Sequence, residues 1–471
     1  MLEDDEQFDV ELKRFERMMK EGTSFYFEPD SLEEIIDHYI VKNKIKKASF
    51  AVDFALNLFP GAVFFELRRA QLFSTSGKLK ESLLILQNLE KIEPDNAEVF
   101  LTIASIFSQL RDHSKAIKYF EKALEIERLN GEYDNESHDI MLDLALEYEN
   151  NNDYSGAIKV LEQILAADPD NESAIYEIAF CYERIGEFDQ CIAYYKQYID
   201  NHPYSFTAWY NLGNIYFLKK NIEKALWAYD YAIIINENFS SAYFNMGNTL
   251  MQIDEFDRAI EAYEKCLEID PEDDLALCYL GEALERKGKL EEALVSYKKA
   301  ILHNPELADA YIGIGIVLDL QEKTGQAISY FQKAIALQPN NDNFHHVLGE
   351  ALYKLNRFVE AELELEKALQ LNLESEDSVE LLAQIKFEYN PHESLDFLNQ
   401  YELKTELPIA AAMYKVKLLW DLGQQTEALL LFKESIEKDY KLAIEAIEKH
   451  FPQYKLINSF ITILNHYGQK L

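Results

Sequence analysis

Between residues 209 and 232 the apolar positions fall at Trp209, Leu212 and Tyr216. After a polar break at 219–221 they resume at Ala225, Tyr229 and Ala232. Spacings of three, four and seven lay each set along one stripe of a helix, so the stretch predicts two helices joined by a short turn. Gly213 interrupts the first stripe. A glycine inside a helix costs roughly 1 kcal/mol relative to alanine, so its presence predicts a neighbour too close for a Cβ, with Ala225 as the expected partner. Small Ala225 and Ala232 flank bulky Tyr229, an arrangement in which a ring on one helix meets a small residue on the next. One such hairpin cannot bury its own apolar face and needs stacked neighbours.

The neighbours are present. The small-residue position recurs at Ala48, Ser82, Ala116, Ala157, Cys191, Ala225, Ala259, Ala293, Ala327 and Ala361, in steps of 34 residues except for a step of 41 after Ala116. The close-approach position tracks it through Ala70, Ala104, Ala145, Ala179, Gly213, Gly247, Gly281, Gly315 and Gly349. Proline, which cannot continue a helix, recurs at Pro60, Pro94, Pro169, Pro203, Pro271, Pro305 and Pro339. Trp209, Leu212, Gly213, Tyr216, Ala225, Tyr229 and Ala232 match W-x2-L-G-x2-Y…A-x3-aromatic, so the chain resembles the tetratricopeptide repeat (TPR) family, in the form of a stand-alone bacterial-type TPR protein. The resemblance implies an all-α fold, a right-handed TPR superhelical solenoid of antiparallel helix pairs with helical caps.

Taken in order, residues 1–28 predict an N-terminal capping helix and connection, with Phe8, Leu12, Phe15 and Met19 on one stripe. The regular array spans 29–375. In its first hairpin Ile36 holds the close-approach position, which predicts a splayed pair. The seven extra residues lie in a loop insertion at 128–137. Residues 376–440 predict degenerate hairpins, the first of them one residue short, with Asn390 capping and Pro391 opening its second helix. Residues 441–471 predict two C-terminal capping helices, Lys441 to His450 and Gln453 to Tyr467. The last carries Leu456, Phe460, Ile463 and Tyr467, broadened by Ile457, Ile461 and Leu464, and is more apolar than a solvent-facing cap requires. It is expected either to fold back on the last hairpin or to serve as a self-association surface.

Composition adds little to the fold but bears on partners. The 471 residues carry a net charge of -38, spread along the chain, and the 29 Tyr and 28 Phe suit a fold that fills each hairpin with rings. The charge has two open readings, solubility of a long surface and attraction of a basic partner. Nucleic acid is disfavoured, because phosphate contact needs clustered Lys and Arg and Arg14, Arg68, Arg111 and Arg286 are scattered. The N-terminus has no secretory signal and no run approaches the ~20 apolar residues of a membrane span, so a cytoplasmic protein without a membrane segment is expected. Cys181, Cys191, Cys266 and Cys278 lack CxxC spacing and read as small reduced core residues. His345 and His346 have no helix-spaced carboxylate or cysteine beside them and read as surface packing rather than a metal site. No phosphate-cradling loop or nucleophile elbow occurs. No catalytic residue, cofactor or metal is expected, and the chain reads as a non-enzyme.

The family resemblance further implies that first helices line a concave side, with repeat positions 2, 5, 6, 9, 12 and 13 facing the groove when Trp209 is counted as position 4. In the central repeats these are Tyr176, Glu177 and Phe180, then Tyr210, Asn211, Asn214 and Phe217, then Phe244, Asn245, Asn248 and Met251. Amides can donate to and accept from a peptide backbone while rings form apolar pockets. The expected function is therefore a protein-interaction scaffold or adaptor that binds a peptide segment or partner protein in the groove. A self-associating assembly protein using the C-terminal helix is the alternative. TPR domains that clamp a C-terminal carboxylate are similar at Asn214 and Asn248, but they place bases where Tyr210 and Phe244 stand. The asparagine ladder of TPR-containing sugar transferases is matched only at Asn211 and Asn245.

Overall fold

Each stretch with helical spacing folds as a helix in this computed structural model, which describes residues 2–22, 25–130 and 136–467; no strand occurs among them. The helices fall into two compact units, residues 1–221 and 222–471. Unit 1 opens with α1 (Leu2–Glu21). Four hairpins follow, α2/α3 (Pro29–Val41, Ile45–Leu58), α4/α5 (Val63–Thr75, Leu79–Ile92), α6/α7 (Ala97–Gln109, His113–Asn130) and α8/α9 (Glu136–Asn150, Tyr154–Ala167). A fifth, α10/α11 (Glu172–Arg184, Phe188–Asn201), leads to α12 (Phe206–Leu218). Unit 2 begins with α13 (Ile222–Ile235), then α14/α15 (Ser240–Met251, Phe256–Ile269), α16/α17 (Asp274–Arg286, Leu290–His303) and α18/α19 (Ala308–Leu320, Thr324–Leu337). It continues with α20/α21 (Asp342–Lys354, Phe358–Leu371), α22/α23 (Glu376–Tyr389, Pro391–Glu402) and α24/α25 (Ile409–Asp421, Gln425–Lys438). It ends in α26 (Tyr440–His450), a 3-10 turn (Pro452–Leu456) and α27 (Asn458–Tyr467).

Local chemistry accounts for the boundaries. Second helices stop two residues before each of the seven recurring prolines, as at Leu58 before Pro60 and Leu337 before Pro339. Asn96, Asn171, Ser205 and Asp273 cap first helices by accepting the third N–H. Inside each hairpin one residue turns left-handed. Asn43, Gly77, Arg111, Asn152, Gly186, Asp254, Gly288, Glu322 and Asn356 hold φ between 52° and 81°, again at the repeat period. The short unit differs: Asn390 is extended and its side chain caps His392 N at 2.9 Å, so α22 and α23 meet without a left-handed residue.

At Gly247, Gly281 and Gly315 the close neighbour is a ring, and at Gly349 it is Leu365 with Ala361 O at 3.4 Å. A Cβ on Gly247 would stand 2.5 Å from the Tyr263 ring, on Gly281 2.8 Å from Tyr297, and on Gly315 2.2 Å from Phe331. The ring four residues after the small residue lies over the glycine, because a flat face fills the gap between two helices better than a methyl group does. Where the small residue is Ser or Cys it adds a bond to the facing helix: Ser82 Oγ donates to Ala70 O at 2.6 Å and Cys191 Sγ to Ala179 O at 3.1 Å. Ser394 Oγ does the same to Ala383 O at 2.7 Å in the short unit.

Three further expectations change in detail, and the last helix takes one of its two expected placements. Ile36 is fully buried against the cluster that holds Ala48 and Val52, so the first hairpin closes around it. The insertion is partly helical: residues 128–130 lengthen α7 to 18 residues and 136–137 begin α8, while 131–135 lie outside the described residues. The final helix starts at Asn458, because Pro452 opens a separate 3-10 turn. Its Phe460 is fully buried among Phe432, Trp420, Phe451 and Tyr454, at centroid distances of 4.8 to 6.2 Å, so α27 folds back on the last hairpin. At the other end Phe15 of α1 is buried edge-on against Phe27 and Phe54, as a cap requires.

Candidate binding wall on the first helices

Successive first helices pack on one another. In unit 1, α2 lies on α4, α4 on α6 and α8 on α10; in unit 2, α14 lies on α16, α16 on α18, α20 on α22 and α22 on α24. Successive second helices pack to no comparable extent among the described residues. Elements that touch lie on the inside of a curve, so within each unit the first helices form the inner wall.

Each unit holds a cavity on this wall, in unit 1 among α4, α6 and α8 and in unit 2 between α16 and α18 beside the start of α20. The unit 1 cavity, about 490 Å³, is lined from α6 by Glu98, Leu101, Thr102, Ser105, Ser108 and Gln109, and from its neighbours by Gln71, Ser74, Thr75, Asp143 and Leu146. The unit 2 cavity, about 380 Å³, is lined from α16 by Leu275, Cys278, Tyr279, Glu282, Glu285 and Arg286, and from α18 by Asp309, Ile312, Gly313 and Ile316. In α6 and in α16 these are the residues at repeat positions 2, 5, 6, 9, 12 and 13. Both helices belong to repeats other than the central ones.

Of the ten residues singled out in the central repeats, Phe180 is the most open, 42% exposed, its ring edge-on to Tyr154 at 6.4 Å. The others are half-buried. Tyr176 packs against Tyr195 and Tyr198 of α11, and its hydroxyl meets Thr207 Oγ1 and Glu172. Tyr210, Asn211, Asn214 and Phe217 lie along α12. In unit 2, Phe244 sits between Tyr263 and Tyr279, at 6.0 and 5.6 Å, and Asn248 Oδ1 accepts the Tyr263 hydroxyl at 2.7 Å. Asn245 and Met251 lie on the same helix, Met251 against the core. The cavity-lining residues of α6 and α16 carry side chains that are ordinary one by one, and their repeat register is the sequence signal that marks them.

The wall is acidic. Burial, then the nearby Asp139 and Glu147, raises the Asp143 carboxyl above its ordinary range. Burial, then Glu177, lifts Glu149 to about 7, and it accepts the Cys181 thiol at 3.4 Å. Burial raises Glu285 as well, against the opposing hydrogen bond from the Tyr297 hydroxyl.

Neither histidine of the adjacent pair is a surface residue free for metal. His345 is buried, with Nδ1 2.6 Å from Glu364 and Nε2 3.1 Å from Pro339 O, and His346 Nδ1 lies 2.9 Å from Ser378 Oγ. Among the described residues no group of three or more His, Cys, Asp or Glu could hold a metal ion, and no helix is long and apolar enough to cross a membrane. All four cysteines are buried and unpaired, and burial pushes Cys191, Cys266 and Cys278 up to about 12.

Five sequence profiles, each of a tetratricopeptide repeat, match the chain, at residues 97–128, 150–203 with 320–385, 182–242, 240–273 and 262–295. No curated protein matches it significantly. Among solved structures MamA is 31% identical, over 35% of this chain and 96% of its own, with a TM-score of 0.33. YrrB, a TPR protein with an unusual peptide-binding site, is 21% identical over 42% of this chain and 97% of its own, with a TM-score of 0.35. A chain of the APC/C hetero-tetramer Cut9-Hcn1 is 14% identical over 88% and 94%, with a TM-score of 0.43. With the 34-residue period, the ring-over-glycine hairpins and profiles of one family in both units, the chain belongs to the tetratricopeptide repeat family.

Proposed function

We propose that the chain is a non-catalytic scaffold or adaptor that holds a segment of a partner protein along its first-helix walls. The observation that carries this reading is that both inner-wall cavities are lined at the repeat positions expected to face a ligand. The unit 1 cavity combines hydroxyls and amides with Leu101 and Leu146. Gln109 Nε2 donates to Ser74 Oγ at 3.2 Å, which leaves its carbonyl oxygen and a second amide hydrogen for a peptide backbone, while Gln71 is held in the wall, donating to Glu98 and Thr102 and accepting from Arg68. Phe180, Tyr210, Asn211, Asn214 and Phe217 in unit 1, and Phe244, Asn245, Asn248 and Met251 in unit 2, would extend the contact, with Tyr176 bracing the wall. Self-association through α27 has less support, since Phe460 is turned inward.

A photo-crosslinking residue at Ser105 or Tyr279, compared with one at exposed Leu84 or Val295 on second helices, tests the proposal in the full chain. The inner positions should join to a partner polypeptide in extract of the source cells while the outer ones do not. Equal crosslinking from both faces, or crosslinks only to a second copy of the chain, would remove the groove as the binding surface.

A further inference from the structure

The unit 2 cavity carries a more specific reading, which rests on the inner wall being the binding face. Its volume of about 380 Å³ lies within the range of pockets that enclose a side chain or small ligand. The floor is the Tyr297 ring, reached where α18 carries Gly313: a Cβ there would stand 2.2 Å from the ring's Cζ. Leu275 and Tyr279, 46% and 38% exposed, form an apolar wall, the Tyr279 ring backed by Phe244 and Tyr263, and Ile312 and Phe344 close the far side.

Above these walls stand Glu282, Glu285 and Asp309, with Arg286 the sole cation in the lining. Arg286 is solvent-exposed and reaches only Glu282, at 3.7 Å. Asp309 has no ion pair or hydrogen-bond partner among the described residues, and Glu285 accepts only the neutral Tyr297 hydroxyl, at 3.0 Å. Acids on an open surface would be satisfied by water. Here Glu282 and Glu285 are half-buried in a recess whose sides are aliphatic and aromatic, where a carboxylate gains more from a cation than an exposed one does, and exposed Asp309 stands at the rim.

We infer that this pocket receives a lysine or arginine side chain from an extended segment of the partner. The aliphatic stem lies along Leu275, Tyr279 and Ile312, and the cationic head reaches Glu285 and Asp309. The complementarity agrees with a chain of net charge -38.

The test uses the full chain and a fluorescein-labelled acetyl-Gly-Leu-Arg-Leu-Gly amide, read by fluorescence anisotropy against the same peptide with neutral citrulline for arginine. The arginine peptide should bind about tenfold tighter, and the preference should shrink as salt rises past about 0.1 M. Asp309→Asn with Glu285→Gln should abolish the preference. Asp309→Asn alone, at an exposed and unpartnered site, should halve it or more without altering the circular dichroism. Equal affinity for the two peptides, a preference unchanged in the double variant, or no binding of either peptide overturns the inference. If that occurs while Ser105 still crosslinks to a partner, only the basic-side-chain pocket is lost and the wall stands. Loss of both results removes the wall reading too.

Discussion

The packing of rings on glycines makes a prediction whose sign is not obvious. Replacing Gly315 by Ala in the interior of α18 should gain about 1 kcal/mol in helix propensity. The new Cβ, however, would stand 2.2, 2.5 and 2.9 Å from three carbons of the Phe331 ring. Ordinary carbon contacts lie at about 3.5–4.0 Å, so the ring must retreat by more than about 1 Å, and at 1% exposure it has nowhere to go. Overpacking of this kind costs about 1–3 kcal/mol, and the short distances place it at the upper end. The net expectation is a loss of about 1–2 kcal/mol. Gly325, on the next helix, has no atom within 4 Å of its would-be Cβ, so Gly325→Ala should instead gain up to about 1 kcal/mol. Urea denaturation followed by circular dichroism compares the two, and amide hydrogen exchange in α18 and α19 localises the effect, since a repeat array need not unfold in one step. Adding Phe331→Leu should cost less in the Gly315→Ala background than in the wild type, because the two sites share one space. If Gly315→Ala is as stable as the wild type, or its effect adds independently to that of Phe331→Leu, the ring does not rest on the helix backbone and the account of hairpin closure fails.

Other consequences are as direct. Glu322 and Arg111 hold φ of 62° and 58° in hairpin turns, so Glu322→Gly or Arg111→Gly should stabilise by about 1 kcal/mol in urea titration, whereas Gly288→Ala at φ 78° should destabilise. Two buried carboxyls should respond oppositely to pH. Burial opposes ionisation of Glu380, but hydrogen bonds and charge from His450 and Lys449 prevail and hold it at about 2; its contribution, at most about 3 kcal/mol, is present above pH 4.5 and is lost as pH falls towards 2. Glu149, raised by burial to about 7, acts in the other sense: its cost, again at most about 3 kcal/mol, grows as pH rises from 4.5 to 7, so Glu149→Gln should stabilise the chain at pH 8 and not at pH 4. Trp209, 8% exposed with its indole N–H on Pro203 O at 3.0 Å, should cost about 3–5 kcal/mol as Trp209→Ala, while Phe180→Ala should stay within about 0.5 kcal/mol. A thiol reagent at pH 8 should label none of the four buried cysteines until the chain is unfolded.

The one-dimensional pattern determined everything that depends on neighbours along the chain. The alternation of large and small residues set the hairpins, the prolines set where second helices stop, and a fixed count from Trp209 named the wall-facing positions, six of which reappear around each of two cavities. Those features follow from 3.6-residue geometry and contact between adjacent helices, which a 34-residue window contains. Tertiary structure decided what depends on the accumulated offset of helices two places apart. It placed the cavities at α6 and at α16 with α18, in repeats whose residues look ordinary in sequence. It put a ring rather than an alanine over each of Gly247, Gly281 and Gly315, buried His345 against Glu364, and folded Phe460 into an aromatic cluster. Each outcome rests on the direction a side chain takes from its backbone and on which distant helix meets it, and neither is encoded in local spacing.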